Sequence, residues 1–334
     1  MDVQHDPGVC LHHALLLRGT RPPADGCCTG LVMRPSVSVV IPTLGRPSLY
    51  GAVQSALEQT YPVAEVIVVA DTDLAMSLPS DDRIVVLRSE GRVGPARCRQ
   101  LGIDAAHGSV IALLDDDDEW RRVKLERQLA AVEHEAAFGK PWIASSRMAV
   151  VGPGTRRRVW PRRLIGSEQS VAEYLFRFTG FTVGGATLQT STLCFPVDLV
   201  GTVPWDTDAD APHEEASWLL RIRRAVPDVC LVHHPDVLST YHVGNSSLSH
   251  SSSDRADEYI AWGLQYLGEE SPRVRGDYLC TSPVSAAVSA RSLAGVRRSM
   301  WSAIRHGRPG PFAVVYAVLG AARILVRTAH ASVR

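Results

Sequence analysis

Lysine is almost missing from this chain. Of 35 basic residues only Lys124 and Lys140 are lysines, and the rest are arginine. Net charge is missing too, because 35 acidic residues balance the 35 basic ones. A balanced chain lacks the basic excess of a dedicated nucleic-acid binder, so no nucleic-acid partner is expected. Metal-type cysteine spacing is also absent. Cys10, Cys27, Cys28, Cys98, Cys194, Cys230 and Cys280 form no CxxC pair and no zinc-like cluster with histidine. Their number is odd, and they read as reduced thiols of a cytoplasmic protein. There is no sequence repeat. Long apolar runs are lacking: Ala14–Leu17 is too short for the core of a signal peptide. Phe312–Val326 spans 15 residues and contains Arg323, whereas a membrane-spanning helix needs about 20. Two readings of that stretch stay open. One is a helix packed on the domain. The other is a peripheral, in-plane membrane contact helped by Arg297, Arg298, Arg305, Arg308, Arg323 and Arg327.

What is present is an ordinary globular composition. The 334 residues are 45% hydrophobic, enough for one large domain or two small ones. Residues 1–32 mix His, Pro, Gly and Cys without periodicity. They are expected to be a disordered extension or to precede the true start, near Met33. Regular patterning then begins. Val37–Ile41, Val66–Ala70, Arg83–Leu87 and Ser109–Leu114 read as buried strands. Ser48–Gln59, with Ser48 as a candidate cap, Pro95–Ala106 and Arg121–His134 read as helices. This alternation predicts βαβ units and a mostly parallel sheet over residues 36–135. Further on, Trp142–Val150, Gln189–Phe195 and Val229–Val243 read as strands, and Gly152–Arg158 as a basic turn. Val171–Phe178, Glu214–Ala225 and Arg255–Leu267 read as helices, as does most of the remainder.

The densest chemistry is Asp115-Asp116-Asp117-Asp118, placed directly after the apolar run Val110–Leu114. Four adjacent carboxylates repel one another and do not belong in a core. Hard divalent cations such as Mg²⁺ or Mn²⁺ relieve that repulsion through oxygen ligands. Ligands of open α/β sheets sit beyond the carboxyl ends of the strands. A metal-bound phosphate ligand is therefore expected at this run. Strand alternation would turn Asp115 and Asp117 the same way.

Five segments in register resemble the family 2 glycosyltransferases. They are Val37–Thr43, Val66–Asp71, Gly94–Gly102, Leu114–Trp120 and Glu214–Arg221, and the likeness runs on into Tyr241–Ser249. The arginine-rich, lysine-poor composition suits a member from a GC-rich bacterial genome. The resemblance implies a GT-A fold: a Rossmann-like, mostly parallel sheet with helices on both faces, a mixed acceptor region and C-terminal helices. It implies an N-terminal extension at 1–33, a transferase domain at 34–250 and a helical region at 251–334. The domain would divide into a nucleotide-binding half at 34–135 and an acceptor half at 136–250. The donor would be a nucleotide-diphospho-sugar, with UDP- or dTDP-sugars favoured. The acceptor would be a glycan, a lipid-linked molecule or a small molecule.

The same resemblance implies residue roles. Pro42 and Thr43 would cradle the nucleotide, and Asp71 would accept a hydrogen bond from the base. Arg99 would help to hold the base or diphosphate. Asp117 would bind Mn²⁺ or Mg²⁺, with Asp115 and Asp116 nearer the ribose or behind the metal. Glu215 would be the general base of an inverting displacement. Four departures stand out: Glu215 replaces the usual aspartate, Ala70 replaces an acid, Gln100 replaces an asparagine, and His242 and Gly244 occupy Arg and His positions. Other readings of the residues stay open. The acidic run could cap a helix, and Glu214-Glu215 could simply favour a helix N-terminus. A nucleotidyltransferase would want a glycine-rich basic phosphate loop, of which Pro42-Thr-Leu-Gly-Arg46 is a poor version. A non-catalytic sugar-nucleotide binder is the third possibility.

Overall fold

Strands β1 (Val37–Thr43) and β2 (Glu65–Ala70) are buried along their whole length. Their Val- and Ile-rich sequences suit strands covered on both faces. Helix α1 (Leu49–Leu57) joins them. Then follow β3 (Ile84–Arg88), α2 (Pro95–Asp104) and β4 (Val110–Leu113). The structure, a computed structural model, describes residues 34–332 except 138, 155, 167–168, 182–183, 206–211 and 244–252. The expected N-terminal extension, Cys10, Cys27, Cys28 and Gly244 lie outside the described residues. Cys98, Cys194 and Cys280 are buried free thiols.

The chain continues through β5 (Glu119–Trp120), α3 (Lys124–Ala137), β6 (Trp142–Val151) and β7 (Arg158–Trp160). Next come α4 (Val171–Phe176), β8 (Cys194–Pro196), α5 (Asp198–Thr202), α6 (Glu214–Ala225) and β9 (Cys230–His242). Five helices close it: α7 (Ala256–Tyr266), α8 (Pro272–Leu279), α9 (Ser282–Ser289), α10 (Leu293–His306) and α11 (Pro311–Ser332). The sheet order is β3-β2-β1-β4-β8-β6-β9-β5, with β7 paired to β6. β3, β2, β1 and β4 are parallel, and β8 joins β4 antiparallel. Alternate residues of β1 enter different cores. Val39 and Ile41 pack with Leu49 and Val53 of α1, while Val40 packs with Cys98 and Ile103 of α2. Helices therefore cover both faces of the sheet.

Gly102 sets how closely α2 approaches. A Cβ there would lie 2.4 Å from Val40 Cγ1 and 3.0 Å from Val69 Cγ2. The described residues after 250 pack into the main core. Trp262, Tyr278 and Ala317 belong to the same apolar cluster as Phe195 and Trp218.

Four local expectations change. Arg83–Leu87 reads as a buried strand, but β3 ends the sheet and leaves Val85 and Val86 exposed. Ser48 precedes α1 in helical conformation and makes no side-chain cap bond. Gln189–Phe195 is not one strand: Thr190–Thr192 form a single 3₁₀ turn, and only Cys194–Pro196 pair as β8. The cause is local hydroxyl bonding, since Thr192 Oγ1 donates to the Gln189 carbonyl at 2.6 Å. The aspartate run does not extend β4. Asp118 N donates to the Asp115 carbonyl at 3.1 Å, so the run is a turn and strand alternation does not govern it.

Candidate active site

The strand order reverses between β1 and β4, since β1 leads to β2 and β3 on one side and β4 lies on the other. Doubly wound sheets bind ligands in the crevice at such a switch point. A cleft of about 720 Å³ opens there. Every residue singled out for a role by sequence lines it: Pro42, Thr43, Asp71, Arg99, Asp115, Asp116, Asp117 and Glu215.

Each acid of the turn has its own partner. Thr43 Oγ1 donates to Asp116 Oδ2 at 2.6 Å. Arg46 Nη1 bonds Asp117 Oδ2 at 2.6 Å and Asp116 Oδ1 at 3.2 Å. Asp118 points into the protein, where Ser191 Oγ donates at 2.6 Å, Gln189 Nε2 at 2.9 Å and the His242 backbone N–H at 3.2 Å. Asp115 bonds the Arg99 guanidinium. Burial pushes the Asp116 carboxyl above the usual range. Asp117 is raised by burial and by the charge of Asp115. Asp118 is raised well above it by the same two causes. Burial first, and the neighbouring aspartates second, thus disfavour the charged forms of these three acids. Asp117 is the accessible member, with 37% of its side chain exposed.

Asp71 is a clamp. Ser89 Oγ and the N–H groups of Val93 and Gly94 donate to it at 2.7, 2.9 and 2.9 Å. Burial alone would raise this carboxyl, but those three donors lower it. It fixes the entry to α2, which Pro95 begins in a position proline favours.

Arg99 is buried, and its Nη1 lies 2.8 and 2.7 Å from the two oxygens of Glu214. Burial opposes its charge, yet Glu214 and Asp115 hold it firmly protonated. Within the described structure its hydrogen bonds go to these acids, so it ties the acidic turn to the start of α6. Burial raises the Glu214 carboxyl, and Arg99 works against that rise. Trp205 Nε1 also donates to Glu214. Glu215, one residue on, accepts from Thr190 Oγ1. His213 precedes both acids in the left-handed conformation, φ 60° and ψ 52°.

Sequence reasoning missed several contributors. No local pattern singles out Arg46, and Glu214 by itself reads as a helix-favouring acid. Gln189, Thr190 and Ser191 were assigned to a strand. The clustered hydroxyls of Thr190-Ser-Thr192 were the available signal. His242 lines the cleft, and its Nδ1 lies 2.9 Å from the Asp117 carbonyl. Among the described residues no group of three or more His, Cys, Asp or Glu is arranged to enclose a metal.

A GT-A architecture follows from this sheet, its switch-point cleft and the acidic turn. S. aureus TarS, residues 1–349 in complex with UDP-GlcNAc, shares it with a TM-score of 0.54 at 14% identity, over 80% of this chain and 79% of that one. Residues 38–187 match the family described as Glycosyl transferase family 2. The amylovoran biosynthesis glycosyltransferase AmsB of Erwinia amylovora is 27% identical over 250 residues, 72% of this chain and 79% of AmsB. WfaP of Escherichia coli, a UDP-Glc:alpha-D-GlcNAc-diphosphoundecaprenol beta-1,3-glucosyltransferase, is 32% identical over 108 residues. That match covers 30% of this chain and 43% of WfaP. Over residues 38–187 the chain thus matches Glycosyl transferase family 2, and its fold is GT-A.

Proposed function

We propose that this glycosyltransferase moves a sugar from a nucleotide-diphospho-sugar to an acceptor hydroxyl with inversion, using Glu215 as general base. The observation that carries the reading is the meeting of Asp117 and Glu215 in one cleft at the switch point. Glu214 is tied by Arg99 and Trp205. Among the described residues, Glu215 is held by a single hydrogen bond, from Thr190 to one of its oxygens. That leaves capacity to take a proton. The acceptor oxygen bonds to the anomeric carbon as the bond from that carbon to the diphosphate oxygen breaks. The hydroxyl proton passes to Glu215, and the nucleoside diphosphate leaves with the electron pair. Pro42, Thr43 and Asp71 shape the nucleotide end of the cleft, with Arg46 positioned to meet the diphosphate.

A divalent cation fits the chemistry of Asp117. Its carboxylate is 37% exposed, and burial and the charge of Asp115 both disfavour its charged form. Mg²⁺ commonly binds through one or two carboxylates and substrate phosphates rather than an all-protein cage. When bound, Mg²⁺ or Mn²⁺ supplies charge stabilisation to the departing diphosphate. Asp115 and Asp116 serve the ribose or support the metal site from behind. The donor base is uracil or thymine, read from Asp71 and supported by the UDP-GlcNAc complex of TarS. A glycan or lipid-linked acceptor is supported by AmsB and WfaP. The reaction belongs at the cytoplasmic face of the membrane.

Glu215→Gln tests the assignment. Donor binding, read by thermal shift with UDP- or dTDP-sugar and Mn²⁺, should persist while turnover falls by at least about a hundredfold. Donor at 100 times its Kd should stabilise the protein by about 2.7 kcal/mol. Unchanged turnover would remove Glu215 from the role, and the absence of any donor shift would remove the nucleotide site.

A further inference from the structure

The outward face of α11 is apolar where a surface helix should be polar. Ala313, Ala317, Gly320 and Ile324 form its buried stripe. Gly320 is the close-approach point, since a Cβ there would meet Val288 Cγ2 at 3.0 Å and Val284 Cγ1 at 3.1 Å on α9. On the opposite side Phe312, Val315, Val318, Leu319, Leu325 and Val326 are each 45–56% exposed. An ordinary amphipathic helix carries charge there. Helix α10 presents Trp301 and Ile304, 63% and 72% exposed. The Arg305 guanidinium lies 5.5 Å from the Trp301 ring centroid. Phe181, itself half exposed, meets Phe312 edge to face with ring centroids 6.0 Å apart. The apolar surface thus continues from α11 to Phe181.

Charge identifies the occupant. Residues 278–334 contain eight arginines and no Asp or Glu, in a chain whose total charge is zero. Arg297, Arg305, Arg308, Arg323 and Arg327 are exposed, and among the described residues none of them is in an ion pair. A two-fold dimer through this face would set the same patch against itself, arginine facing arginine, with the neighbouring Asp254 and Asp257 already paired to Arg298. An anionic bilayer presents the complementary charge and an apolar layer beneath it.

We infer that α10 and α11 form a docking surface for an anionic lipid bilayer. α11 lies in the interfacial plane, with its outward apolar face among the upper acyl chains and the arginines at the headgroups. Trp301 sits at headgroup level, where its amphipathic ring is favoured. The helix is long and apolar enough over Pro311–Thr328 to cross a membrane. Crossing would strip the contacts that Ala313, Ala317, Gly320 and Ile324 make, so the in-plane arrangement is the one compatible with this fold. The inference does not depend on the identity of donor or acceptor.

The test is co-sedimentation of the full chain with phosphatidylcholine vesicles, alone and with about a third phosphatidylglycerol. Binding should require the anionic lipid and weaken as salt rises. Replacing Arg305, Arg323 or Arg327 by Gln should weaken it about fivefold per arginine. The triple variant Phe312→Ser, Leu319→Ser, Val326→Ser should lose binding while keeping its circular dichroism and thermal unfolding. Three results would overturn the proposal. They are equal or absent binding on both vesicle types, resistance of bound protein to an alkaline carbonate wash, and a dimer in solution that the triple variant dissociates without any effect on vesicle binding.

Discussion

The Thr190 hydroxyl is small, but its position gives it leverage over Glu215. It donates to one carboxylate oxygen and thereby restricts how the side chain can turn. A hydrogen bond to a charged group contributes about 1.5–3 kcal/mol. Thr190→Val keeps the shape and deletes the donor. Its kcat should fall by about ten- to a hundredfold, less than for Glu215→Gln, with donor affinity unchanged. A split of that kind in single-turnover kinetics would mark Thr190 as a positioning residue. A matching fall in donor affinity would instead point to damage of the whole cleft. At this scale the acids were legible in the sequence, because a run of aspartates after a buried strand has few structural uses. Their partners were not. Arg46 and Glu214 reach the same cleft, and Gln189 reaches Asp115 and Asp118, from positions far apart in the chain, and no local pattern reports such a meeting.

The elements of residues 37–113 were the most readable, because buried parallel strands and amphipathic helices leave strong periodic signals. Failures came where polar side chains bond the backbone locally. The Thr190–Thr192 hydroxyls turn an expected strand into a 3₁₀ turn, and the aspartate run folds on itself rather than extending β4. Neither preference is visible to a count of apolar residues. One glycine governs the packing of α2. Gly102→Ala would press a methyl against Val40 and Val69, and overpacking of this kind costs about 1–3 kcal/mol. Urea unfolding should show that loss as a lower midpoint with an unchanged slope. An unaltered midpoint would mean that α2 can shift away from the sheet without penalty.

The whole molecule should be sensitive to mild acid through two enclosed histidines. His213 is walled by Phe176, Tyr259, Trp262 and Tyr278, and burial lowers its pKa to about 4. Burial, with nearby Arg147, also lowers His233 to about 4. Unfolded histidine titrates near 6.5. Between these values the unfolded chain binds protons that the native one refuses, so stability falls as pH drops from about 6.5 to 4. Each histidine contributes a slope of about 1.4 kcal/mol per pH unit. The raised carboxyls of Asp116, Asp117, Asp118 and Glu214 act oppositely, since the native state holds their protons more tightly. His213→Asn tolerates the left-handed backbone and should remove one histidine's share of the slope. Unfolding midpoints compared at pH 7, 6 and 5 would reveal it, and parallel curves for the two proteins would deny His213 this role.

The segregation of charge along the chain has a practical consequence at the bench. With eight arginines and no Asp or Glu after residue 277, the preceding residues must carry a net charge of −8 for the total to be zero. The sequence pI of about 7.2 suggests a protein that ion-exchange resins would ignore near neutrality. Resins respond to patches rather than totals, so at low ionic strength the protein should be retained by both cation and anion exchangers. Deleting residues 311–334 should weaken retention on the cation exchanger and leave the anion exchanger's hold intact.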